Sequence, residues 1–174
     1  GPLGLAAAGL EVCRMPEKFK SFPDHELQPL ITQHLDPTPR IFLGQVLESS
    51  RMVGAMQDLS DGIATDLAHI CTESGVGAEL EADLLPGSEV LERVCQQLTK
   101  SEVELKISGG EDFELLFTVK QGRDDELLAM LRKQGTGQVY RVGRTVEGSG
   151  VRLISCDESA YIAFRGYQHR ASSG

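Results

Sequence analysis

Two short acidic stretches hold the residue types that could do chemistry. The first, Asp58-Leu59-Ser60-Asp61-Gly62, places two carboxylates and a hydroxyl close together. It lies where a short apolar run gives way to a helical pattern, beside a helix N-terminus. Mg²⁺ is typically held by one or two carboxylates together with substrate phosphates and water, and this spacing fits that recipe. The same residues also suit a helix start, with Asp58 ending a strand and Ser60 or Asp61 capping the helix. The second stretch, Ser108-Gly109-Gly110-Glu111-Asp112, joins two glycines, which allow positive φ and close approach of a ligand, to two adjacent acids. A tight turn with solvated carboxylates would explain it equally well.

Other chemistries lack their residues. The histidines His25, His34, His69 and His169 show no metal-ligand spacing and no grouping with cysteine. There is no GxSxG nucleophile elbow and no GxxxxGK[ST] phosphate loop, so nucleotide chemistry here would hold phosphates through a metal. Cys13, Cys71, Cys95 and Cys156 are dispersed without a CxxC pair and read as reduced, packed thiols.

The elements that must position the acidic stretches follow from periodicity. Leu5 to Val12 is Ala-rich and helical, Leu27, Leu30, Ile31 and Leu35 share a helix face, and Ile41 to Leu47 forms a third helical segment after Pro37 and Pro39. Met52 to Gln57 reads as a strand leading into the first acidic loop. A helix from about Gly62 to Ser74 follows, with Gly75 as its C′ residue. Gly77 to Leu80 reads as a short strand, and Pro86-Gly87-Ser88 opens a helix carrying Val90, Leu91, Val94 and Leu98. The alternation of Val103, Leu105 and Ile107 with Glu104 and Lys106 predicts a strand leading into the second acidic loop, and Leu115 to Val119 predicts another strand after it. Asp124 to Gln134 is an amphipathic helix. Val139 to Val146 and Val151 to Ile154 predict a hairpin around Gly148-Ser149-Gly150. The class expected is α+β, a mixed β-sheet covered by helices, in a single domain over residues 1–174.

The 174 residues are 40% hydrophobic and 25% charged, ordinary values for a folded domain. Lys and Arg number 17 against 26 acids, a formal net charge of -9 that argues against nucleic acid as a partner. No apolar run is long enough to span a bilayer and no signal-peptide pattern opens the chain, so the expected location is cytoplasmic, with no membrane partner.

Met56-Gln57-Asp58-Leu59-Ser60-Asp61-Gly62, continuing through Asp66-Leu67 and His69-Ile70 to Ser74-Gly75-Val76-Gly77, resembles a segment of the bacterial thiamine-monophosphate kinases. Ser108-Gly109-Gly110-Glu111-Asp112-Phe113-Glu114-Leu115-Leu116-Phe117-Thr118 is similar to that family's SGGEDYELLFT motif, with Phe113 in place of the commoner Tyr. Pro37-Thr38-Pro39-Arg40, Val142-Gly143-Arg144, Gly148-Ser149-Gly150-Val151 and Arg165-Gly166-Tyr167 resemble further family motifs, although Gln168 stands where Asp is usual. The resemblance covers essentially the whole chain but only the C-terminal domain of the family's two. Gly1 to Leu10 looks like the family's sequence just after the domain junction. It implies the aminoimidazole-ribonucleotide-synthetase-like fold, with the N-terminal ATP-binding domain lying outside this chain.

By that resemblance Asp58 and Asp61 are Mg²⁺ ligands, Ser60 is an ATP contact, and Glu111 and Tyr167 touch thiamine monophosphate. The implied reaction is direct in-line phosphoryl transfer from ATP to thiamine monophosphate, giving thiamine diphosphate and ADP. Mg²⁺ would neutralise charge and no residue is assigned as general base. The family's homodimer is held chiefly through the N-terminal domain, and the isolated chain is expected to be inactive. Two alternatives are another ATP-dependent enzyme of the superfamily, selenophosphate or aminoimidazole ribonucleotide synthetase-like, and a folded binding module without turnover.

Overall fold

The computed structural model describes residues 1–155 and 158–162. Its first part is helical. The Ala-rich α1 (Leu5–Arg14) packs on α2 (Asp24–Leu35), and α3 (Ile41–Ser50) begins just after Pro37 and Pro39. Ala8 and Val12 of α1, Leu27 and Leu30 of α2, and Leu91 and Val94 of α5 (Glu89–Leu98) bury one another in a helical core. Ser88 opens α5 by accepting a hydrogen bond from the Leu91 amide at 3.2 Å, the start foreseen from Pro86-Gly87-Ser88.

The two acidic stretches hang from a two-stranded antiparallel ribbon, β1 (Val53–Asp58) with β3 (Leu115–Val119). Side chains alternate across it. Leu115 and Phe117 join Leu43 and Leu47 of α3 and Leu127 and Leu131 of α7 (Asp124–Gln134) in one core. Leu116 faces the other way, into the core built on α4 (Ile63–Ser74). That helix is buried along most of its length and touches both the ribbon and the second sheet. It ends at Gly75, at φ +65°, as the sequence predicts.

The second sheet has the order β4-β2-β5-β6, with β2 (Gly77–Glu81), β4 (Gly143–Val146), β5 (Gly150–Ser155) and β6 (Glu158–Tyr161). The expected hairpin is therefore wrong: β4 and β5 do not pair with each other. The strand β2 lies between them, antiparallel to β4 and parallel to β5, and Gly148-Ser149-Gly150 crosses the end of β2. Inserting β2 pairs its backbone on both sides, which a β4–β5 hairpin would leave undone. Glu79 marks the register: Arg144 on one flank donates to its carboxylate at 2.7 and 2.9 Å, and Arg152 on the other also donates. The Arg144 hydrogen bond is the main reason Glu79 is held below the usual carboxylate range.

A second expectation also fails. Residues 103–107 form no strand but belong to helix α6 (Glu102–Ser108). Ser101 caps it by accepting from the Glu104 amide at 3.2 Å, and Glu102 pairs with Lys106 one turn on at 2.6 Å. Three alternating apolar residues are too few to separate a strand from a short helix, whereas Ser101-x-x-Glu104 is a helix-start signature. Of the thiols, Cys71 and Cys95 are buried as expected, Cys13 is exposed instead, and Cys156 lies outside the described residues. The class is α+β, a mixed sheet with helices.

Candidate functional site

The ribbon brings the two acidic stretches together. Asp58 pairs with Leu115 at the end of the β1–β3 ladder, and the contact continues irregularly beyond it. The Leu59 amide donates to the Glu114 carbonyl at 2.8 Å, Phe113 to Leu59 at 2.9 Å, and Glu111 to Ser60 at 2.9 Å. Gly110 is needed where the loops are tightest, because a Cβ there would stand 2.5 Å from the Ser60 carbonyl oxygen. Asp58, Ser60, Asp61 and Glu111, singled out from sequence far apart, thus lie on two adjoining loops. Tyr167 lies outside the described residues.

The helix-capping explanation for the first loop does not hold. The cap of α4 is Gly62, at φ +96°, so neither Ser60 nor Asp61 occupies the capping position. The loop is turned instead by Asp66, one turn into α4, whose carboxylate accepts from the Ser60 amide at 3.0 Å and the Asp61 amide at 3.1 Å. Asp66 is 2% exposed, and burial pushes its carboxyl up in spite of those two donors. The peptide N–H groups turn inward, and among the described residues no hydrogen bond ties down the carboxylates of Asp58 or Asp61. Asp58 is exposed and Asp61 half-buried. Two carboxylates on an open loop match Mg²⁺, which takes one or two carboxylates and completes its shell with phosphate and water. A closed cage would need more, and among the described residues no group of three or more His, Cys, Asp or Glu side chains is placed to hold a metal.

The second loop alternates in and out. Glu111 and Phe113 point outward while Asp112 and Glu114 are buried, 2% and 6% exposed. The Asp112 carboxylate accepts from the amides of Gly4 at 2.6 Å and Ala6 at 3.0 Å, closing the first turn of α1. Burial nevertheless pushes its carboxyl up to about 6. Glu114 takes Arg40 in a forked ion pair, Nε at 3.0 Å and Nη2 at 2.5 Å. Burial works against the charged form of Glu114, and the hydrogen bonds and charge of Arg40 favour it. The Gln33 side-chain amide donates to the Asp112 carbonyl at 2.6 Å, and His34 Nδ1 lies 3.7 Å from a Glu111 oxygen.

Pro37, Pro39 and Arg40 line a groove of about 410 Å³ together with Asp58, Phe113 and Leu115. The Pro37-x-Pro39-Arg40 stretch therefore meets both acidic loops across one cleft. Sequence reading missed the roles of Asp66, Asp112, Glu114 and Gln33. Only for Asp66 was there a local signal, an acid one turn into the helix that follows the loop.

The profile of the AIR synthase related protein, C-terminal domain, matches residues 1–155. Among curated relatives, the thiamine-monophosphate kinase of Aquifex aeolicus is 37% identical over 152 residues, covering 87% of this chain and 45% of its own length. That of Escherichia coli K12 is 33% identical over 172 residues, covering 99% of this chain and 51% of its own. The chain spans about half the length of these relatives. The solved structure of AaThiL complexed with AMPPCP and TMP superposes with a TM-score of 0.72 at 29% identity, over 97% of this chain and 49% of that one.

Proposed function

The chain belongs to the AIR synthase related protein, C-terminal domain family, and we propose that it is the C-terminal half of an ATP-dependent, Mg²⁺-requiring thiamine-monophosphate kinase. The observation that carries this reading is the juxtaposition of the two acidic loops: their backbones are hydrogen-bonded to each other, and Asp58 of one and Phe113 of the other line a single groove, with Asp61 and Glu111 on the same two loops. Support comes from relatives that are thiamine-monophosphate kinases and from a structural neighbour that holds AMPPCP and TMP.

In this reading Asp58 and Asp61 hold Mg²⁺, which supplies charge neutralisation to the transferring phosphoryl group. Ser60 contacts ATP from the same loop. Glu111 and Tyr167 contact thiamine monophosphate, and Phe113 adds an apolar wall to the groove. Asp66 keeps the metal loop turned outward, and the Arg40–Glu114 pair fixes the wall opposite Asp58. The γ-phosphoryl group leaves ATP for the phosphate of thiamine monophosphate, giving ADP and thiamine diphosphate. The reaction would run in the cytoplasm, and among the described residues no helix is long and apolar enough to cross a membrane.

A preceding domain of the parent protein completes the ATP site and carries the homodimer contact. The apolar side chains left open beside the groove, Ile41 at 67% and Phe42 at 56% exposure, suit such a neighbour.

The deciding experiment is ADP release by the full-length protein with Mg²⁺-ATP, with and without thiamine monophosphate, beside Asp58→Asn and Asp61→Asn. Release should require thiamine monophosphate and fall on the order of a hundredfold or more in each variant, with circular dichroism unchanged. Release indifferent to thiamine monophosphate would point to the other ATP-using reactions of the superfamily. Variants with full activity would remove the metal role.

A further inference from the structure

Glu111 and Phe113, the outward residues of the second loop, both have left-handed backbones, at φ +66° and +48°. Neither is glycine, so each conformation costs on the order of 1 kcal/mol or more and persists only where the surroundings dictate it. The residue between them is anchored at both its side chain and its backbone. Asp112 sends its carboxylate to two amides at the start of α1, 108 and 106 residues away, and offers its carbonyl to Gln33 on α2. On either side the loop is pinned by its amides, Glu111 to Ser60 and Phe113 to Leu59, with His34 Nδ1 3.7 Å from a Glu111 oxygen.

We propose that Asp112 is the positioning residue of the substrate loop, and that through α1 and Gln33 it sets where the side chain of Glu111 stands and where Phe113 meets the groove. Asp112 binds neither metal nor substrate in this account, since both its carboxylate oxygens are taken by the start of α1. The loop is therefore referenced to the α1–α2 pair and not to the metal loop alone. The inference rests on Glu111 being a substrate contact, as proposed above.

The test uses the full-length protein with Asp112→Ala, Asp112→Asn and Gln33→Ala, reading the KM for thiamine monophosphate against the KM for ATP, together with amide hydrogen exchange. Asp112→Ala should raise the KM for thiamine monophosphate by roughly tenfold or more, the scale of a misplaced binding group, and move the KM for ATP by less than about twofold. Asp112→Asn keeps one acceptor and should recover most of the loss. Gln33→Ala removes only the carbonyl anchor from half-exposed α2, so it should raise the same KM by about threefold without unfolding the chain. Exchange should quicken both at residues 4–6 and at residues 110–113. Quickening confined to residues 4–6, or equal rises in both KM values, would overturn the proposal. The exchange arm stands even if the wild type shows no turnover that depends on thiamine monophosphate, so failure of the kinase reading would be seen separately.

Discussion

The two acidic loops use their carboxylates in opposite ways. In the first, a third acid, Asp66, takes the loop's amides from within the helix that follows, and among the described residues no hydrogen bond ties down the carboxylates of Asp58 and Asp61. In the second, the acids themselves are the struts: Asp112 reaches α1 and Glu114 reaches Arg40, and Glu111 alone is left at the surface. The first loop is shaped by a neighbour five and six residues along the chain, the second by partners 74 to 108 residues away. An acidic motif is thus not a count of ligands. What each carboxylate can do depends on whether something else holds the backbone.

Gly110→Ala is the harshest way to break this contrast, since the added Cβ at 2.5 Å from the Ser60 carbonyl would force the two loops apart. A loss of about 3 kcal/mol is expected, the upper range for overpacking, and activity should fall with it. Chemical denaturation and ADP release read both, and an unperturbed variant would show that the loops do not depend on each other. Next in size is Asp112→Asn, read against pH. Burial pushes the Asp112 carboxyl up to about 6, above its ordinary range, so its contribution is complete at low pH and is lost as pH rises through 6. Between about pH 4 and 6.5 the wild type should lose up to about 3 kcal/mol relative to the variant, visible in urea unfolding at stepped pH. Parallel curves would mean that the carboxyl is hydrated. The mildest change is Asp66→Ala, which leaves two loop amides without their acceptor. It should cost about 2 kcal/mol, with exchange quickened at residues 60–61 and not at 110–113. Equal quickening in both loops would erase the distinction drawn here.

That distinction also explains what could be read in advance. The strand before Asp58, the helix after Gly62 with its Gly75 end, and α7 are local patterns, and each stands where periodicity put it. Both acidic stretches were visible as candidates, and their meeting follows from β1 pairing with β3. The inward turn of Asp112 and Glu114 had no local signature, because Gly4, Ala6 and Arg40 are distant in sequence. The same blindness produced the false hairpin: β4 and β5 look like partners until a strand about 70 residues upstream is known to lie between them. The misread α6 is different, since Ser101-x-x-Glu104 was in plain view and carried more weight than three alternating apolar residues.

The position of β2 also bears on how the chain is made. Gly77 pairs with Val146 on one side and Gly150 on the other, so β2 leaves the ribosome long before either flanking strand exists. At roughly 5–20 residues per second, its unpaired backbone edges wait several seconds for their partners. Over that interval a nascent chain with α4 already formed and β2 still open would be the species most in need of a chaperone.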